Sequence, residues 1–226
     1  MEIPATADYP VTFRYANGNQ ETKNLNLYVN GAYVKTIDFT SVGGNWNEWQ
    51  RLEWKFRIPK DFQPTTKFCH LHQLKAQEGN NGAPLITIST RCDEDGGNKR
   101  VQVIHTGDTR TSGKGIIIDN LPLADFEDEW IQVETEMHYT HHGTFRIKLT
   151  RISDGKVLAD QSFADVDLWR KGATSIRNKF GIYRSLGRKM QSASDRPDNG
   201  LKDESLQLAD FKVYEAHTNP NPQPHD

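Results

Sequence analysis

Residues 67–92 read KFCHLHQLKAQEGNNGAPLITISTRC. Two strand-like runs, FCHLHQLKA and PLITISTRC, flank QEGNNGA, whose Asn and Gly residues are turn formers, so the stretch reads as an antiparallel hairpin. A strand sends alternate side chains to opposite faces. Alternation puts Cys69, Leu71, Ile86 and Ile88 on one face, plainly core, and His70, His72, Thr87, Ser89 and Arg91 on the other. With the turn centred between Asn80 and Asn81, Arg91 lies opposite His70 and Cys69 opposite Cys92. Directly opposed cysteines reach disulfide distance only at a non-hydrogen-bonded site, so a bridge and two buried free thiols are both open. A bridge would favour an extracytoplasmic location.

The same period of two recurs along the chain, at residues 11–15, 25–29, 33–39, 51–58, 100–105, 130–139, 144–152, 179–184 and 206–214. The turns between them carry NGN, VNGA, GGNWN, DEDGGN, HHG and SDGK. The one helical pattern is DVDLWRKGA, residues 165–173, which predicts a single turn capped by Asp165. Many strands at even spacing predict an all-β, two-sheet antiparallel sandwich. Residues 1–216 are read as one domain, because a forty-residue front segment seldom holds a core alone. The Pro- and Asn-rich residues 217–226 read as a disordered tail.

Lys and Arg total 28 against 30 Asp and Glu. That balance offers no bulk attraction to nucleic acid or to an anionic membrane, so any acidic ligand must be held by a local cluster. No run approaches the roughly eighteen apolar residues of a membrane span. The opening MEIPATADYP lacks the basic and apolar regions of a signal peptide. A monomer is expected.

The strand QRLEWKFRIP turns Leu52, Trp54, Phe56 and Ile58 inward and projects Arg51, Glu53, Lys55 and Arg57. Those charges are either a solvated face or, for Arg51 and Lys55, the lining of a groove for an anion. In NKFGIYRS, Lys179, Gly181 and Tyr183 share a face. Imidazoles, a phenol, an ammonium and a guanidinium together fit β-elimination of a uronic acid polysaccharide. That reaction neutralises the C5 carboxylate, removes the C5 proton and protonates the leaving glycosidic oxygen. Arg91, Lys179 and His70, beside Ser89, suit the carboxylate. His72, with an ordinary pKa of about 6.5, suits the base, and Tyr183 the acid.

These segments carry a resemblance. From about Phe56 to Glu215, roughly two thirds of the chain, the sequence resembles jelly-roll polysaccharide lyases of the alginate lyase and heparin lyase-like kind. FCHLHQLKA is similar to their Gln-x-His strand, with His70 in the Gln position and His72 in the His position. KFGIYRS is similar to their Lys-x-Gly-x-Tyr strand. Asp203, Glu204 and ADFKVYE at residues 209–215 match the ending of heparin lyase-like proteins with a His-x-His-Gln strand. The resemblance implies a concanavalin A-like jelly roll, His72 and Tyr183 as base and acid, His70, Arg91 and Lys179 around the substrate carboxylate, and an extracellular or periplasmic protein.

The front departs from that pattern. Residues 9–49, with LYVNG before a W-x-x-W turn, resemble part of a family 6 or 35 carbohydrate-binding module, and residues 7–49 are expected to add strands to the lyase-like sheets of 50–216. The rival readings are a noncatalytic carbohydrate-binding protein, with Trp46 and Trp49 stacking on sugars, and a glycoside hydrolase using Glu134 and Glu136. No cofactor is expected. Structural calcium at Asp93 and Asp95 is chemically allowed. His105, His138, His141 and His142 are not read as a convergent metal set.

Overall fold

A computed structural model describes residues 23–29, 31–39, 43–109, 113–185 and 200–218. The strand expected at 11–15 and the tail from 219 onward lie outside the described residues.

The first strands, β1 (Lys23–Val29) and β2 (Ala32–Phe39), form a hairpin through the turn at Gly31. They pair with each other and with neither larger sheet. The expectation that this segment supplies strands to the sandwich is therefore corrected for both. The sandwich begins at Gly44, bridged to Ile176, and continues into β3 (Trp49–Arg57).

The remaining strands are β4 (Cys69–Gln77), β5 (Ile86–Arg91), β6 (Arg100–His105), β7 (Gly115–Pro122), β8 (Ile131–His138), β9 (Gly143–Arg151), β10 (Val157–Val166), β11 (Ser175–Arg184) and β12 (Gln207–Ala216). They build two five-stranded antiparallel sheets, ordered β10-β9-β8-β3-β12 and β11-β4-β5-β6-β7. This is an all-β jelly-roll sandwich. Neither β7 nor β10 is marked by alternation. Both run along sheet edges, where GIIIDNLP and VLADQSFADV bury few side chains and selection for a two-sided pattern is weak. The expected helical turn at 165–173 is absent. Here the buried Arg170 donates to the carbonyls of Gly107, Ala83, Pro84 and Thr106, pinning three loops. These bonds tie the segment to the loops at 83–84 and 106–107, and a turn closes from Ala173 N–H to the Arg170 carbonyl.

Between the sheets, Leu52, Trp54 and Phe56 of β3 meet Leu74, Ile86, Ile88, Val101 and Val103 of the facing sheet. The register of β4 is not the one uniform alternation predicts. Cys69 pairs with Thr90 and His70 with Ser89, but His72 pairs with Ile88. Leu71 is an extra residue, a β-bulge that resets which face each later side chain takes. Near the turn the pairing is also one residue off the expected register, with Leu74 facing Ile86 instead of Thr87. Together the two shifts move the partner of Cys69 from Cys92 to Thr90 and the partner of His70 from Arg91 to Ser89. Both cysteines are buried and free.

The consequence for His72 is large. It leaves the face of His70 and enters the core, 2% exposed, with its ring 5.3 Å from Trp54 and 4.9 Å from Phe180. There it begins an inter-sheet polar chain. His72 Nε2 meets Asn178 Oδ1 at 3.0 Å, Asn178 Nδ2 donates to Gln50 Oε1 at 3.1 Å, and the Tyr139 hydroxyl donates to the same oxygen at 2.8 Å. Strand β11 answers with its own irregularity. Phe180 pairs with His72 and Tyr183 with His70, so Gly181 and Ile182 span the place of one residue. Gly181 has φ +123, a conformation side-chain-bearing residues rarely adopt, and a Cβ there would meet nothing within 4 Å.

Gly181→Ala is therefore expected to act through backbone strain, costing about 1–3 kcal/mol, read from the urea midpoint. A second expectation concerns acid. Burial lowers the pKa of His72 from 6.5 to about 4. Between those values the unfolded chain binds a proton that the folded chain refuses. Stability is full above pH 6.5 and falls as pH drops toward 4, by up to about 1.4 kcal/mol per pH unit from this residue. His70 and His105, also lowered by burial, add the same sign. His72→Gln should flatten the slope of unfolding free energy across that window without removing it; an unchanged slope would contradict the buried placement.

Candidate functional site

With Leu71 bulged, the outer face of the β4 sheet carries His70, Gln73 and Lys75 from β4, Thr87, Ser89 and Arg91 from β5, and Arg177, Lys179 and Tyr183 from β11. Gln73 takes the place that unbroken alternation would give to His72. It stands between Thr87 on one side and Lys179 on the other.

At the centre is His70. Its ring stacks on Phe68 at 4.7 Å and lies 6.0 Å from the Tyr183 ring, centroid to centroid. Ser89 Oγ donates to Thr87 Oγ1 at 3.0 Å, so at 2.7 Å it accepts from Nδ1–H of His70. This leaves the lone pair on Nε2. Burial, then Arg91, then Lys75 lower the pKa of His70 to about 4, which makes it a neutral acceptor at ordinary pH. Tyr183 is 59% exposed and presents its phenol to solvent.

The surroundings are cationic. Arg91 has a buried, unpartnered Nε, and its guanidinium forms no ion pair among the described residues. Lys179 is exposed, and its pKa is lowered by partial burial and by repulsion from Arg177 and Lys75. Lys75, Arg91, Arg177 and Lys179 form no ion pair among the described residues, while Arg100, opposite Arg91, is paired with Asp93 and Asp119. An excess of cations like this attracts anions and favours their ionised form.

Of the expected site residues, the structure brings together His70, Ser89, Arg91, Lys179 and Tyr183. It does not bring in His72, for the reason given above. Arg51 and Lys55 are also corrected. Both project from the outer face of the opposite sheet, where Arg51 pairs with Glu53 and lies 5.4 Å from the Tyr214 ring, and Lys55 reaches Asp210 at 2.6 Å. They line no groove with His70, because the core faces of the two sheets lie between them. Glu134 and Glu136 share that far surface, opposite Glu53 and Arg51. Sequence reading passed over Gln73, Lys75 and Arg177. The one local signal for Gln73 was Gly181 in the neighbouring strand, which marks a place where the ladder is irregular.

Four other histidines are occupied in the frame. His105 takes the Lys114 N–H on Nδ1 and reaches the Asp167 carbonyl through Nε2. His138 stacks on Trp49 at 4.4 Å, while His141 and His142 pair with Asp167 and Asp165. No group of three His, Cys, Asp or Glu side chains able to hold a metal occurs among the described residues. At the acidic turn, Asp93 accepts from Arg100 and Asn98, and Asp95 from Gly97 N–H. Trp46 is exposed and meets Trp169 edge-on at 5.5 Å.

No protein-family model matches the chain. Among curated proteins it is similar to a 1,6-alpha-glucosyltransferase of Sporosarcina globispora, 48% identical over 50 residues, which are 22% of this chain and 4% of that enzyme. It is also similar to a cycloisomaltooligosaccharide glucanotransferase of Niallia circulans, 32% identical over 83 residues, 37% of this chain and 8% of that enzyme. The chain thus spans a small fraction of the curated relatives it matches. Among solved structures it is similar to an alginate lyase of Pseudomonas aeruginosa, with TM-score 0.46, 16% identity, and coverage of 80% of this chain and 73% of that one. An alginate lyase of Klebsiella pneumoniae gives TM-score 0.44, 14% identity, and coverage of 80% and 63%. The binding domain of botulinum neurotoxin serotype D/C gives TM-score 0.41, 14% identity, and coverage of 74% and 33%.

Proposed function

We propose that the outer face of the β4 sheet binds an acidic, uronate-containing polysaccharide and cleaves it by β-elimination. The observation that carries this reading is the single-faced grouping of a neutral imidazole, an exposed phenol 6.0 Å away, and cations without counterions. Arg91 and Lys179 draw the substrate carboxylate and stabilise the charge that develops on it when the C5 proton leaves. Nε2 of His70 takes that proton. The C5–H electron pair forms the C4–C5 double bond, the C4–O bond breaks, and the Tyr183 hydroxyl gives its proton to the departing oxygen. Solvent then returns His70 and Tyr183 to their starting states. A bound carboxylate also raises the pKa of His70, bringing the base nearer to its working range. Such a substrate implies an extracellular or periplasmic protein.

A second reading, a noncatalytic carbohydrate-binding module, is favoured by a different observation. The sequence matches cover 4% and 8% of enzymes that transfer glucosyl units, as an accessory segment would. It predicts binding to neutral α-glucans and no product.

The test is incubation with alginate, glucuronan, heparin and pectin-like chains, following the ultraviolet absorbance of the unsaturated product. Tyr183→Phe and His70→Ala are each expected to lower kcat by about a hundred- to ten-thousandfold, while Arg51→Ala leaves it unchanged. The acid limb of kcat/KM should fall well below pH 6.5, because the free enzyme's base has a lowered pKa. Absence of product across the panel, with retained binding of neutral glucan, would select the second reading.

A further inference from the structure

One rung beyond Gln73 and Lys179, β4 and β11 place Lys75 directly opposite Arg177 on the same outer face. Like charges directly opposite each other across a ladder repel and destabilise the pair. Lys179 stands two residues from Arg177 on that face, about 6.6 Å along the strand. Three cations are thus crowded on two adjacent strands. Among the described residues no carboxylate pairs with any of them, and Nε of Arg177 is buried without a hydrogen-bond partner. A folded protein keeps such a cluster at a cost unless something anionic offsets it. By contrast, cations such as Lys55 and Lys212 on the opposite sheet are neutralised, by Asp210 and Glu53.

We infer that Lys75 and Arg177, with Lys179 lying between them and the His70–Tyr183 site, form an anion seat for a charged group further along the sugar chain held at His70 and Tyr183. This rests on the proposed reading of that site and deepens it. The substrate must carry oxyanions repeatedly along its length, and the chain lies along β4, from the His70–Tyr183 rung to the Lys75–Arg177 rung about 13 Å away. Arg177, with its planar fork, suits a bidentate carboxylate or sulfate, and Lys75 supplies a point charge from the other strand. The repulsion that lowers the Lys179 pKa is relieved when the seat is filled.

Binding decides the matter independently of turnover. The full chain and the Lys75→Gln/Arg177→Gln variant are titrated calorimetrically with alginate, dextran sulfate and dextran at two salt concentrations. Lys148→Gln/Lys212→Gln makes the same charge change on the far sheet and serves as the control. The seat predicts that the first variant loses about tenfold or more in affinity for the anionic chain and shows a shallower salt dependence, whereas the control binds like the parent. Loss confined to alginate assigns the seat to carboxylate, and loss confined to dextran sulfate assigns it to sulfate. With product formation measured in parallel, KM should rise and kcat change little. Lys75→Arg/Arg177→Lys should restore binding, which separates lost charge from a lost fold. Parental affinity in the Gln variant, or no affinity of the parent for any anionic chain, overturns the inference. A parent that binds alginate through the seat yet yields no product overturns the elimination reading and leaves the seat standing.

Discussion

One extra residue, Leu71, sets the chemistry of this molecule. A β-bulge in a central strand reverses the facing of everything beyond it, and here it separates two histidines that are two positions apart. His70 remains on the outer face, tied to Ser89, while His72 enters the gap between the sheets and joins Asn178, Gln50 and Tyr139. The bulge is matched by an irregularity in β11 at Gly181, so Tyr183 returns to the face of His70. Without that pairing of irregularities, the imidazole and the phenol would point to opposite surfaces.

The buried chain explains why the arrangement is stable against slipping. A return to uniform alternation would expose Leu74 and Ala76 and strand the amide of Asn178 in an apolar gap. Both outcomes are costly, since an orphaned buried polar group loses on the order of 1–3 kcal/mol. The neutral state of His72 belongs to the same logic, because a charged imidazole against Trp54 and Phe180 has no counterion. His70 is neutral for a second reason as well. Arg91 and Lys75 oppose its protonation from the same surface. Two histidines thus share a low pKa whose first cause is burial, and for His70 the neighbouring cations add to it.

The fold alone carries none of this. A two-sheet sandwich hosts many unrelated functions. What distinguishes this chain is where its charge is neutralised. On the β3 sheet, cations and carboxylates interleave and pair. On the β4 sheet Arg100 pairs with Asp93 and Asp119, but Lys75, Arg91, Arg177 and Lys179 form no ion pair among the described residues.

Much was legible in the residues themselves. Alternation in LEWKF, LITIS and IQVETEM marked central strands because both faces of such strands are under strong and opposite demands, and the turns announced themselves through Asn and Gly. The edge strands β7 and β10 lacked that signal for the converse reason. Residue types also named the chemistry, an imidazole, a phenol and cations in paired strands. Which of them share a surface was not legible, since the bulge at Leu71 leaves no mark in β4 itself and Gly181 in β11 signals only an irregularity, not its register. It is set by the register that best buries Leu74, Ile86 and Ile88 against Trp54. That choice belongs to the packing of two sheets. It turned His72 inward, brought Gln73 and Lys75 outward, and put Arg51 and Lys55 on the far side of the core.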